Sequence, residues 1–425
     1  MMLAGSFLGG AKNRLLPVSI PFRFFAAAAV FHVAAWGVLF LGADDVAGFV
    51  AGTGIVLAAL HLLTLGVLAM VAIGASFQLL PVATGQPLIR TWPTRLCFWL
   101  LTPGTMLLSL GMASGNRTAL YAGSAAVASA LLVFAVLTAF NLQRASSMPV
   151  VAAHGWGALV ALVGFAGLGL ALVFDFDLGF LVDHQGIAGL HMLLATFGFM
   201  GLLVLGLSQI LIPMFALSRT LPAWIGWGQL GLALTALGLA TLAVWFDSAA
   251  LGVAAGLGAL AAAGIYLWGM YTALKTGMRK RLGISFVLIR SSWGLAVLGL
   301  LLGFAALLDM PIPNLPALFG FVILVGWLLT FLLGILQRIA PFLASMHAVG
   351  ANGRPALLSD LTPDLPARFS AGLHGLAVLA VALGIILDSG LVVKIGAAVG
   401  FTGSLAFAAF IFGVIGKLVP NTAKS

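Results

Sequence analysis

Two histidines stand at matched places in the sequence, His61 in the run ALHLLTLG and His191 in GLHMLLATFG. His61 lies 17 residues before Gln78, and His191 lies 18 before Gln209. Each glutamine is followed within four residues by a proline, Pro81 or Pro213, and a third such ending occurs at Gln337 and Pro341. At the position matching the histidines, this third copy carries Phe319. Imidazole inside an apolar helix is costly unless it is partnered or functional. Two imidazoles at one depth on equivalent helices are what an axially ligated haem requires, and either one alone can hold a haem or a metal. The plainer alternative is a pair of buried histidines bonded to helix carbonyls. His32, near the middle of the first apolar run, is a third candidate ligand, with a packing role as its alternative. Met70, Met192 and Met200 share the histidine helices and serve as core filler or as axial ligands. Phe25, Trp36, Trp156, Phe197, Phe199, Trp293 and Trp327 are aromatics able to wall a porphyrin. His184 and His347 fall in loops and are expected to be solvated, His154 opens the fifth run, and His374 lies in the eleventh.

The elements that carry these residues are membrane helices. The chain has 425 residues, of which 62% are hydrophobic and 7% charged, with a mean hydropathy of +1.21. Soluble domains carry about 25% charged residues, so a soluble enzyme and a disordered chain are both excluded. The net charge of +9 is scattered rather than patched, which excludes a nucleic-acid surface. Cys97 stands alone, so no intrachain disulfide or multi-cysteine metal site can form. A helix needs about 20 apolar residues to cross the hydrocarbon core. Runs that qualify cover 20–42, 54–82, 95–113, 118–141, 150–173, 187–214, 222–245, 248–274, 284–308, 316–343, 369–387 and 391–416. The expected fold is an all-α membrane protein of about twelve transmembrane helices with both termini cytoplasmic. Of the 19 basic residues, only Arg117 and Lys394 then fall outside, leaving 17 on the inner side. The glutamine spacing, 131 and then 128 residues, equals four helices. It implies one transmembrane domain built as a pseudo-threefold repeat of four-helix units, approximately 15–145, 146–278 and 279–425.

This pattern resembles the catalytic subunit of haem–copper oxidases, and looks closest to its divergent NnrS-like branch. The segment Pro21-Phe22-Arg23-Phe24-Phe25 is similar to that branch's arginine–aromatic entry into the first helix. The ending Leu80-Pro81-x-x-Thr84-Gly85 of the His-led second helix is similar as well. The resemblance implies that His61 occupies the low-spin haem position and that His191 lies on the copper-ligand helix. It also implies further histidines on helices ten and seven, and neither run contains one. A three-histidine copper site therefore cannot form, and ordinary oxygen reduction is excluded by ligand count.

Proton pumping is disfavoured, because all ten acidic residues are Asp and they cluster in loops. Arg23, His154 and Arg290 open the first helices of the three units as interface anchors or as contacts to haem propionates or lipid phosphate. The stretch 174–186, with Asp175, Asp177 and Asp183, offers an acidic outer surface to a basic partner. The expected function is a haem b-binding bacterial inner-membrane protein for electron transfer or for handling nitric oxide, haem or copper. Its expected partners are the lipid bilayer and a periplasmic c-type cytochrome or another membrane subunit. The competing readings are a cofactor-free scaffold or assembly subunit and a carrier for a small solute.

Overall fold

The computed structural model describes residues 15–347 and 356–418. Lys12, Arg14, Arg354 and Lys424, assigned above to the inner side, lie outside the described residues. Among the described residues, twelve helices are long and apolar enough to span a membrane. They are α1 Ser19–Leu41, α2 Ile55–Thr84, α3 Trp92–Ser114, α4 Arg117–Gln143, α5 Pro149–Leu178 and α6 His184–Ala216. The second six are α7 Ala223–Trp245, α8 Ala249–Thr276, α9 Ile284–Leu307, α10 Leu315–His347, α11 Asp364–Ile386 and α12 Gly390–Gly416. No strand occurs among the described residues.

Several helices outrun their apolar windows. The 30 residues of α5 span about 45 Å, more than the ~30 Å hydrocarbon core. Its last turn, with Asp175 and Asp177, therefore reaches the headgroup layer, clear of the hydrocarbon core. Outer aspartates also serve as turn formers. Asp247, Asp309 and Asp388 adopt left-handed backbone, with φ of 47°, 49° and 50°, a conformation that Asp tolerates better than most residues. Asn116, Asp183, Ser248 and Ser389 cap α4, α6, α8 and α12 at the outer face. These carboxylates and polar groups are spent on helix ends, away from the membrane midplane.

Burial sorts the helices into inner and outer sets. The most apolar window is 72% buried in α2, 56% in α6 and 89% in α10, against 44% or less in every other helix. The three helices sharing the Gln–Pro ending are thus the inner ones. At that ending each proline lacks the N–H that would bond the carbonyl four residues back. Two of the glutamines tie the inner helices to neighbouring segments: the Gln78 Oε1 accepts from the Leu16 N–H (3.1 Å), and the Gln337 Nε2 donates to the Ala367 carbonyl (3.2 Å).

The same three helices share a second feature. Each turns π-helical for a short stretch, at Thr64–Ala69, Leu194–Gly201 and Val322–Leu329. Each stretch begins three residues after His61, His191 or Phe319. The stretch has six residues in α2 and eight in α6 and α10, in step with the His/Phe-to-Gln spacing of 17, 18 and 18. At each stretch a threonine hydroxyl bonds a carbonyl of its own helix. Thr64 donates to Leu60 O (2.8 Å), Thr196 to Met192 O (2.6 Å) and Thr330 to Val325 O (2.9 Å).

The pair α1–α2 and the pair α5–α6 also pack alike where the helices cross. A Cβ on Gly74 of α2 would stand 2.5 Å from Phe24 Cβ in α1, and one on Gly206 of α6 would stand 2.6 Å from His154 Cβ in α5. Gly206→Leu is therefore expected to destabilise the protein by about 1–3 kcal/mol, read as a lowered Tm in detergent. An unchanged Tm would show that α5 and α6 separate without cost.

On the periphery, α7 and α8 are only 17% and 22% buried over their apolar windows. They expose Trp224, Trp227, Trp268 and Tyr271 toward one end and Trp245 and Phe246 toward the other. From Trp227 to Trp245 is 18 residues, or about 27 Å of helix, close to the hydrocarbon thickness. These are the interfacial aromatic belts of a multi-pass membrane protein.

Candidate cofactor cavity

The inner helices enclose a cavity of about 580 Å³, walled by α1 to α6 and α10 and reaching the outer face. His61, His191 and Phe319, the three matched positions, all line it. Apolar side chains dominate the wall, among them Leu68, Leu131, Phe165, Phe199 and Leu328.

The structure brings the two matched histidines together. Their ring centroids are 6.5 Å apart and their planes differ by 23°. The His61 Nδ1 bonds the Leu57 carbonyl in its own helix (3.0 Å), and the His191 Nδ1 bonds the Phe165 carbonyl in α5 (2.8 Å). A carbonyl only accepts, so each Nδ1 carries the proton and each Nε2 keeps its lone pair. Neither Nε2 has a hydrogen-bond partner among the described residues. Metal-binding histidines are held this way, with the far ring nitrogen bonded to a carbonyl so that tautomer and ring orientation are fixed. The bond to helix carbonyls, which read from sequence as the alternative to ligation, is here compatible with it.

The separation is informative. Two metal–nitrogen bonds of about 2.0 Å, with about 1.1 Å from each nitrogen to its ring centroid, put two axial imidazole centroids about 6.2 Å apart. The observed 6.5 Å is close to that spacing. A bare ion would leave most of the cavity empty, whereas a flat macrocycle would fill it. The volume also falls in the usual range for small-molecule sites, about 300–1,000 Å³.

The other candidates separate clearly. His32 is buried but does not line the cavity; its Nε2 accepts from the Trp36 Nε1–H (3.0 Å), and its ring packs edge-on against Phe407. His154 is a satisfied core residue, with Nδ1 bonded to the Val150 carbonyl (2.8 Å) and Nε2 accepting from Gln229 (3.2 Å). His374 bonds Thr330 through Nε2 (2.7 Å). Of the aromatics proposed as walls, Trp36 and Phe199 line the cavity; Phe197 instead packs on Trp327, and Trp156 is exposed. Met192 and Met200 line it and Met70 lies in the core outside it; Met112 of α3 joins the lining unannounced by any motif. Among the described residues, no three histidine, cysteine or acidic side chains cluster closely enough to hold a metal ion.

His184 departs from its expected solvated role. It opens α6, lines the cavity mouth and bonds Asp175 through Nδ1 (2.7 Å). The acidic stretch around it is likewise engaged within the chain. Asp177 pairs with Arg117 and Tyr121, and Asp183 caps α6 through the Gly186 N–H (2.8 Å). A pairing nine residues apart across a helix–turn–helix corner has no periodic signature. The only hint in the sequence was a histidine flanked by three aspartates.

No protein-family model matches the chain, and no curated protein matches it. Among solved structures, it is similar to a chain from the cryo-EM structure of a heme-copper terminal oxidase dimer. The two share 12% sequence identity and superpose with a TM-score of 0.57, covering 95% of this chain and 84% of the other. The fold is thus haem–copper-oxidase-like.

Proposed function

We propose that this chain is a haem b-binding protein of the bacterial cytoplasmic membrane in which His61 and His191 are the two axial ligands. The observation that carries the reading is the pair of imidazoles 6.5 Å apart in a large apolar cavity, each with Nδ1 committed to a backbone carbonyl. Haem b supplies one-electron chemistry and gas-ligand chemistry. With both axial positions taken by histidine, electron transfer is favoured over chemistry that needs an open coordination site. Nitric oxide, haem or copper handling, as the NnrS-like resemblance implies, is the alternative use of the same site. In this reading the electron partner is a periplasmic c-type cytochrome or another membrane subunit. Of the three aspartates at this corner, Asp177 pairs with Arg117, which lessens the steering of a soluble cytochrome by this surface.

The test is to purify the protein in mild detergent and record oxidised and dithionite-reduced absorption spectra, with iron quantified on the same sample. A Soret band with sharp reduced α and β bands and about one iron per chain supports the reading. A colourless, iron-free protein from haem-replete cells would sink it in favour of a scaffold or carrier.

The cavity wall gives a second expectation. A Cβ on Gly169 of α5 would stand 3.0 Å from His191 Cε1 and 3.3 Å from its Nδ1. Gly169→Val is expected to push the ring off the Phe165 carbonyl and loosen the axial bond. The reduced α band should broaden and lose intensity while Tm changes little. An unaltered spectrum would mean that His191 does not hold the iron.

A further inference from the structure

The cavity's one polar end is its outer mouth. Asp175, buried in the last turn of α5, accepts from the Leu181 N–H through Oδ1 (2.6 Å) and meets the His184 Nδ1 through Oδ2 (2.7 Å). The Phe176 ring lies 5.3 Å from the imidazole and holds it against the carboxylate. His184 and its neighbour Gln185 both line the cavity, and a third of the His184 side chain is exposed. With Nδ1–H given to Asp175, the free Nε2 is the position from which this residue meets an occupant. Deeper in the cavity the hydroxyls are already spent on helix carbonyls: Thr64 on Leu60, Thr196 on Met192 and Ser124 on Tyr121.

A carboxylate carried into an apolar cavity is costly unless it is paired. An occupant with acid groups must therefore turn them outward, where the ring nitrogen of His184 not held by Asp175 can share a proton with one of them. We propose that His184, positioned by Asp175, binds the carboxylate edge of the cavity's occupant and so fixes which edge of the macrocycle faces outward. This rests on the haem reading above, and the carboxylates are then the two propionates. Asp175 is a positioning residue, since it acts through His184 and does not touch the occupant.

The test compares the fluorescent zinc protoporphyrin IX with its dimethyl ester, which differ only in the acid groups. Both are titrated into full-length protein produced under haem limitation. The wild type is expected to bind the diacid at least about tenfold more tightly than the ester. In His184→Phe that preference should fall to about onefold while ester affinity is unchanged. His184→Gln, which retains a donor, should recover part of it, which guards against misfolding of the Phe variant. Asp175→Asn should give an intermediate preference. A tenfold preference that survives in His184→Phe overturns the proposal. So does equal binding of diacid and ester by the wild type, the result expected if a lipid phosphate occupies the mouth instead. Binding of neither porphyrin, with no change in His61→Ala, would instead overturn the haem reading, so the two failures are distinguishable.

Discussion

On the haem reading, replacing His61 with alanine is expected to convert a six-coordinate low-spin haem into a five-coordinate high-spin one. The reduced α and β bands should collapse into a single broad feature, and the reduced variant should bind carbon monoxide within the mixing time. The wild type, with both axial positions taken, should bind it slowly or not at all. The expectation follows from geometry: each Nε2 lacks a protein partner among the described residues, and the 6.5 Å ring separation is close to that of two imidazoles sharing one metal. Removal of the imidazole leaves a hole beside Leu57 that the packed helix cannot close, and such apolar holes accept small molecules of matching shape. Added free imidazole should therefore restore the low-spin bands in His61→Ala. His191→Ala should produce the same spectral change together with a lower Tm. The His191 ring also joins two helices, through its bond to Phe165 and its contact with Gly169, whereas His61 bonds only within α2. A low-spin spectrum in both variants would remove these residues from the iron. Rapid carbon monoxide binding by the wild type would move the assignment from electron transfer toward gas handling.

Which parts of this arrangement were legible in the sequence follows from the kind of signal each part leaves. Twelve spans are written in composition, because a membrane helix needs only length and apolarity. The inner set could be picked out through Gln78, Gln209 and Gln337, since a polar residue beside a helix-breaking proline is conspicuous in an apolar run. The pairing of His61 with His191 followed from the matched offsets, and the structure places both on one cavity. The π-helical turns left almost no trace. In a helix that is apolar all round, a shift of register alters no hydrophobic stripe. Their only marks are the one-residue difference between 17 and 18 and the threonines 64, 196 and 330, whose carbonyl bonds are visible only after folding. The Asp175–His184 pair was hidden for a different reason. Hydropathy ends α5 at the first aspartate, while the folded helix runs on to Leu178 and brings the carboxylate round to the imidazole.

The third matched position supports a gain-of-function expectation. Phe319 stands to α9 much as His191 stands to α5. A Cβ on Gly303 would meet the Phe319 ring at 2.9 Å, and one on Gly169 would meet the His191 ring at 3.0 Å. Phe165, whose carbonyl anchors His191, lies four residues before Gly169, and Gly299 lies four before Gly303. Phe319→His should therefore find an equivalent carbonyl for its Nδ1 and turn its Nε2 toward the cavity that His61 and His191 already share. Three neutral imidazoles on convergent helices form a recognised zinc-binding set, whereas two hold a divalent ion poorly. In protein produced under haem limitation, the variant is expected to bind Zn²⁺ at least about tenfold more tightly than the wild type, about 1.4 kcal/mol, measured by competition with a chromophoric chelator. Addition of His61→Ala to the variant should remove that gain. If the gain appears and depends on His61, the three inner helices present one position of each to a common point, as a pseudo-threefold repeat requires. If Phe319→His binds zinc no better than the wild type, α10 is out of register with α2 and α6 at this depth, and the cavity is a two-helix site with a third helix as its lid.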